Sequence, residues 1–215
     1  MLEVKYLGWA SFLVQTATAK VLFDPFDPLK VGLPWTPQEA EIVCLTHDHF
    51  DHSYLAGVKG DYTLIDSPGE YEIKDLRIEG IFSYHDQKQG RERGFNTIYC
   101  LTVQNWRLAH LGDLGTILTQ EQLNQLGEVN VLIIPVGGRF TIDAVAAAEV
   151  VRQVEPQFII PCHYQQPGLK IEGIAAVEDF LREMGEIRVR QEKVLKLNTP
   201  PMTSEESEVI LLQYG

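Results

Sequence analysis

The eight residues Leu45-Thr46-His47-Asp48-His49-Phe50-Asp51-His52 constrain this chain more than any others. They continue the apolar run Ile42-Val43-Cys44 and hold three of the six histidines in the sequence. Alternate residues of a strand face the same way, so His47 and His49 can aim two imidazoles at one point where a strand ends, with Asp51 and His52 on the turn that follows. A helix would need the pair at i and i+4 to do the same. Ionisable groups crowded at the end of a buried strand repel one another and lose their water, a cost that a divalent cation offsets. The remaining histidines, His85, His110 and His163, each follow an apolar segment, so a fold that gathers strand ends can bring them to one metal site.

Short β-rich runs fill the first half: residues 4–8, 11–16, 20–24, 42–46, 62–66, 76–84, 96–103 and 107–112, most of them separated by Gly, Pro, Asn or Asp. Three helices are expected later. Thr119 and Gln122 stand in capping-box spacing at the head of one that stops at Gly127. Thr141 is the candidate cap of a second that ends before Pro156, and a third is expected over residues 171–185 with Ile174, Val177, Leu181 and Met184 on one face. Between them, residues 129–136 and 156–161 are nearly all apolar, the pattern of strands buried on both faces under helices. Strands outnumber helices, so two sheets with helices outside fit better than one parallel sheet in βαβ alternation. A length of 215 residues, 45% hydrophobic, suits one domain over residues 1–215 with a polar C-terminal segment near 199–207.

Charge narrows the partners: 18 Lys plus Arg against 30 Asp plus Glu give a formal net charge of -12. Such a surface repels phosphate backbones and argues against nucleic acid. The sequence has neither a basic-then-apolar leader nor an apolar run of roughly 18 residues, so no membrane association is expected and the cytoplasm is the expected compartment. The cysteines agree with a reducing environment. Cys44 and Cys100 sit in β-like runs as small hydrophobes, and Cys162, although next to His163, belongs to no Cys-x-x-Cys pair and is read as packing. Oligomeric state is left open, a homo-oligomer included.

The segment from His47 to His52 resembles the His-x-His-x-Asp-His signature of the metallo-β-lactamase fold superfamily and matches it at every defined position. The likeness continues through His85 in FSYHD, Asp113 in HLGDLG and His163 in IIPCHY, and covers nearly the whole chain. The segments LGWASFLV, LFDPF, PGEYEI, IIPVGGRFTID and IIPCHY are most similar to a branch of small metal-dependent hydrolases related to L-ascorbate 6-phosphate lactonase. The resemblance implies an α/β fold, a four-layer αββα sandwich of two mixed β-sheets with helices on the outer faces. It also implies two divalent metal ions, one held by His47, His49 and His85, the other by Asp51, His52 and His163, with Asp113 bridging them. Zinc is the first expectation for so imidazole-rich a set, and the carboxylates suit manganese or iron as well. Two such ions about 3.5 to 4 Å apart can hold a bridging hydroxide at neutral pH and stabilise the oxyanion formed by its attack.

The expected activity is hydrolysis of a small, anionic substrate, a lactone or ester or a phosphodiester. Asp113 and Asp51 are the candidate catalytic carboxylates, Asp51 as an orienting or proton-carrying group. His110 joins them as a support for a ligand carboxylate or a proton donor to the leaving group. Zinc β-lactamases have a Cys where Asp113 stands, so β-lactamase activity is not expected. Many relatives have His in place of Trp9 and of Thr116, which points to a different substrate pocket. Asp24 and Glu70 are read as supporting or turn residues. Lys88, Arg91 and Arg93 closely follow His85 in an otherwise acidic chain, which makes Arg91 and Arg93 candidates for holding the anion. Arg139, with Gly137 and Gly138 before the helix capped by Thr141, is a second candidate. The plain alternative for the basic loop is a solvated turn. For the whole chain the alternative is a metal-holding binding or sensor protein that has lost turnover, against which the complete ligand set weighs.

Overall fold

Residues 1–198 and 206–214 are described by the computed structural model. Strands β1 (Leu2–Gly8), β2 (Ser11–Gln15) and β3 (Lys20–Phe23) form an antiparallel meander, and the one-turn helix α1 (Pro28–Val31) and strand β4 (Gln38–Glu39) lead to β5 (Ile42–Cys44). Strand β6 (Val58–Lys59) pairs with β4, and β7 (Thr63–Ile65) runs parallel to β5. A second antiparallel run follows in β8 (Gly69–Ile73), β9 (Leu76–Tyr84), β10 (Phe95–Val103) and β11 (Trp106–His110). The remainder is α2 (Gln120–Leu126), β12 (Val131–Pro135), α3 (Ala144–Val154), β13 (Phe158–Cys162), α4 (Val177–Met184), β14 (Arg188–Glu192), β15 (Leu195–Leu197) and β16 (Glu208–Leu212). The strands build a six-stranded sheet in the order β15-β1-β2-β3-β5-β7 and an eight-stranded sheet in the order β14-β16-β13-β12-β11-β10-β9-β8.

Period-two alternation explains the layering. Along β12, Val131 and Ile133 pack with Phe12, Phe23 and Ile42 of the first sheet, while Leu132 and Ile134 pack with Ala147, Val150 and Phe180 of α3 and α4. A strand buried on both faces has no place for a polar side chain, hence the apolar runs in the sequence. Replacing Ile133 or Ile134 by Ala would cost about 2–5 kcal/mol. The expected α/β sandwich is therefore present, with unequal outer layers. Helices α2 to α4 cover the eight-stranded sheet, whereas Leu7, Leu22, Val43 and Leu45 on the outside of the other sheet are covered by Trp35, Leu55, Val58 and Tyr62.

The local expectations fare unevenly. The Thr119–Gln122 capping box is formed and α2 stops at Gly127. Helix α3 starts later than Thr141 implies: Asp143 is the cap, its carboxylate accepting from Ala146 N at 2.9 Å, because Ile142 N is already bonded to Leu114 O. The third helix is shorter than residues 171–185. Ala175 N donates to Gly137 O and Gln165 N to Ala175 O, Gly173 takes φ +73, and Ile174 packs between the sheets, so tertiary bonds displace the first helical turns. Glu70 belongs to strand β8, exposed and 3.5 Å from Arg77, and is not a turn residue. Of the polar segment near 199–207, residues 199–205 lie outside the described residues. Among the described residues no helix is long and apolar enough to cross a membrane.

Strands β9, β11, β12 and β13 point one way, since β9 and β11 both oppose β10 and the later pairs are parallel. Their C-terminal ends, with those of the parallel strands β3 and β5, carry the histidines and aspartates singled out in the sequence.

Candidate metal centre

Asp24, just after β3, organises the histidine motif from behind. Its Oδ1 accepts from Thr46 N and its Oδ2 from Thr46 Oγ1, both at 2.8 Å, and Oδ2 also lies 3.0 Å from His52 Nδ1 and 3.3 Å from His110 Nε2. A carboxylate on Nδ1 sets the imidazole tautomer of His52 and turns Nε2 toward the site. Asp24 and His110 are both fully buried. His110 packs edge-on to Phe12 and Phe23, behind the site, with its Nε2 toward Asp24.

Asp113 is positioned by the turn after β11. Gly112 has φ +55, and a Cβ there would collide with Asn96 Oδ1 and the Thr46 side chain. Asn96 accepts from Asp113 N at 2.9 Å and donates to Leu111 O at 2.9 Å and Ser83 Oγ at 2.7 Å, fixing the turn from both sides. Nothing in the local sequence marked Asn96, because its role exists only once β10 lies beside β11.

Around the Asp113 carboxylate the structure gathers His52, His85 and His163, each with Nε2 at 3.3 Å, and His47 with Nε2 at 4.0 Å. His47, His49 and His85 form one triad of donor atoms close enough to share an ion, His47, His52 and Asp113 a second, and Asp51, His52 and His163 a third. The inward nitrogens of His47, His52 and His163 make no aligned hydrogen bond. Two ligands each about 2.0–2.1 Å from a tetrahedral ion stand roughly 3.3 Å apart, the spacing found here and longer than the roughly 2.7–2.9 Å of a charge-assisted hydrogen bond. The donor set therefore fits divalent metal. Cys162 belongs to none of these triads and packs between the sheets.

Electrostatics agree with a cradle prepared for cations. Burial would raise the Asp113 carboxyl, but His163 and His52 outweigh it and hold it well below its ordinary value. Burial would lower His52, but Asp113, Asp24 and Asp51 reverse that and hold it well above the usual range. Burial and neighbouring His52 push His47 well down, and His85 is lowered mainly by burial, so both stay neutral and able to ligate.

Backbone strain collects in the same place. Among the described residues, those other than glycine with positive φ are Trp9, Asp24, Lys74, Gln89, Gln104, Glu155 and His163. Lys74, Gln89, Gln104 and Glu155 are exposed, whereas Trp9, Asp24 and His163 are buried at the site. Left-handed backbone costs such residues about 1–3 kcal/mol and persists where the surroundings enforce it.

A cavity of about 310 Å³ opens over the cradle, lined by His49, Asp51, His85 and Asp113 below and by Phe50, Glu92, Arg93, Phe140 and Ile171 above. Of the arginines proposed from sequence, Arg93 is on this wall, with its guanidinium 5.7 Å from the Phe140 ring centroid. Arg91 is exposed and is not part of the wall. Arg139 donates to the Glu172 carbonyl and lies over Phe140 outside the cavity, and the Asp143 carboxylate fills the anion position at the start of α3, so the second anion site is not formed. The loop before Arg93 is tied by a residue the sequence reading passed over. Asp86 Oδ1 accepts from the backbone of Lys88 and Gly90, and Oδ2 from that of Glu92 and Arg93, at 2.7 to 3.0 Å. Burial would raise that carboxyl, and the four N–H donors hold it down at about 2.

With this geometry in view, the likeness to known proteins is specific. A UPF0173 protein from Pyrococcus furiosus is 27% identical over 214 residues, covering 87% of this chain and 93% of the relative. A UPF0173 metal-dependent hydrolase from Thermococcus onnurineus is 26% identical over 192 residues, 76% of this chain and 85% of its own length. Among solved structures, a Thermotoga maritima protein assigned to the Zn-dependent hydrolases of the metallo-β-lactamase superfamily superposes with a TM-score of 0.80 at 31% identity, covering 99% of this chain and 100% of that one. The family model for the beta-lactamase superfamily domain matches residues 3–163, a span that runs from β1 through the last histidine of the cradle, and the chain belongs to that family.

Proposed function

We propose that the chain is a metal-dependent hydrolase working with two divalent ions, zinc first and manganese or iron as substitutes, on a small anionic substrate. The observation that carries the reading is the convergence of four imidazole Nε2 atoms, at 3.3 to 4.0 Å, on the carboxylate of Asp113 at the floor of a cavity. His47, His49 and His85 would hold one ion, Asp51, His52 and His163 the other, and Asp113 would serve both. When bound, the ions activate water at neutral pH and offset the charge that develops on the attacked group.

The chain's own residues supply the rest. Asp24 keeps His52 in its ligating tautomer. Asp51 borders the cavity and is placed to take a proton from water there. Arg93 holds the substrate's anionic group, while Phe50, Phe140 and Ile171 cover its uncharged body and exclude solvent. The cavity volume of about 310 Å³ is at the small end for ligand sites, which favours a substrate of few atoms bearing both an anion and an apolar face.

The test is a metal titration of chelator-stripped protein against a panel of lactones, thioesters and phosphodiesters, each with and without a charged group. Hydrolysis should rise with the second equivalent of zinc and favour charged members. Binding of metal with no turnover on any member would move the chain to a metal-holding binding protein.

A further inference from the structure

Trp9 is built into the site more tightly than a packing residue needs to be. Its side chain is fully buried and its backbone sits at φ +56. Every polar group of the residue is engaged: N donates to Gln166 Oε1 at 3.3 Å, the carbonyl accepts from Tyr6 Oη and from His163 N, both at 2.9 Å, and indole Nε1–H donates to Asp51 Oδ2 at 3.1 Å. The indole also lies on the His163 imidazole, with centroids 3.7 Å apart. His163 in turn has φ +52, so two strained residues are bonded backbone to backbone and in contact ring to ring at a tilt of 39°. Trp9 thus touches two of the three residues assigned to the second ion, Asp51 and His163, and its backbone bond reaches His163 again.

We propose that Trp9 is the positioning residue of the second metal position, holding Asp51 through its indole N–H and His163 through its ring face. The inference rests on the two-metal reading above. A carboxylate has about four lone-pair sites, so one N–H orients Asp51 and leaves its remaining pairs for an ion. Asp51 Oδ2 also stands 3.8 Å from His52 Nε2, so the orientation imposed by Trp9 faces the rest of that triad. A histidine at position 9 could itself present a nitrogen to the site, whereas tryptophan offers only a donor. Trp9 therefore acts on the site as a brace and not as a ligand.

Trp9→Phe keeps an aromatic face and removes the N–H, and zinc can be titrated into stripped wild-type and variant proteins by calorimetry and by tryptophan emission. Loss of such an outer partner weakens metal affinity about 10–100-fold. The second equivalent should bind that much more weakly in the variant while the first is unchanged, and the emission change that accompanies the second equivalent in wild type should disappear. Wild type binding two equivalents with an indistinguishable variant would overturn the proposal and leave the two-metal reading intact. Wild type binding one equivalent would overturn both. If Trp9→Phe does not fold, a Trp35→Phe, Trp106→Phe protein leaves Trp9 as its one tryptophan. Emission from that protein must change with the second equivalent, and unchanged emission would overturn the proposal.

Discussion

On the pocket floor, ligand-type side chains are buried and braced by others, whereas on the rim Arg93 is 34% exposed and held mainly through its backbone N–H to Asp86. The floor invests in strain and buried charge: three left-handed residues, a carboxylate among four imidazoles, and Asp24 shared by Thr46, His52 and His110. The rim is a loop with one organising carboxylate and a guanidinium over an aromatic ring. This difference separates two tasks. Ion positions tolerate only small errors, which packed elements can enforce, while in the proposed reading substrate recognition falls to a loop whose side chains can change without disturbing the fold.

Substitutions should divide along that line. The largest effect is expected for Asp113→Ala, which removes the carboxylate on which His47, His52, His85 and His163 converge. Metal affinity should fall by more than the roughly 100-fold limit seen for outer partners, with hydrolysis lost in parallel. A variant that keeps two ions and its activity would break the account of the floor.

Acidity is the next lever. In the metal-free fold the raised pKa of His52 means that its protonated form contributes stability fully below the unfolded value near pH 6.5, a contribution lost as pH rises through the folded value. An ion on that side must displace this proton, so zinc affinity should climb about tenfold per pH unit up to the raised value and level off above it. Competition against a chelator at several pH values measures the slope, and a flat profile would mean that His52 does not ligate.

Rim substitutions should spare the metal. Arg93→Ala should lower kcat/KM on charged substrates by about one to two decades, the worth of a charge-assisted hydrogen bond, leaving neutral analogues and metal content unaltered. Equal losses on charged and neutral substrates would take Arg93 out of anion recognition. Asp86→Ala should give a smaller loss of under about tenfold, chiefly in KM, because the guanidinium remains but its loop is no longer fixed. Loss of zinc from that variant would show instead that Asp86 braces the neighbouring His85, and the division between floor and rim would have to be redrawn.

The convergence at the floor was legible in the sequence, because ligand-type residues at strand ends carry type and spacing together. His47, His49, Asp51, His52, His85, Asp113 and His163 all meet where the strands end. The apolar runs around Ile133 and Ile160 likewise announced a doubly covered sheet. What stayed hidden depends on contacts distant in sequence. Asn96 braces Asp113 only across paired strands, Asp86 gathers amides from a loop whose turn has no sequence mark, and Arg91 and Arg139 look like Arg93 until the chain folds. Thr141 and Asp143 are both cap-forming residue types, and the bond from Ile142 N to Leu114 O favours the later one. Residues 171–176 have helical periodicity, yet the bond between Ala175 and Gly137 prevails over it.

The central claim is that two ions share Asp113 between the histidine triad on one side and the Asp51, His52 and His163 set on the other. Anomalous diffraction at the zinc edge from crystals of the zinc-loaded chain tests it most directly. The account predicts two peaks flanking the Asp113 carboxylate, one within ligand distance of His47, His49 and His85 and the other of Asp51, His52 and His163. A single peak, or a second peak away from Asp113, would contradict it.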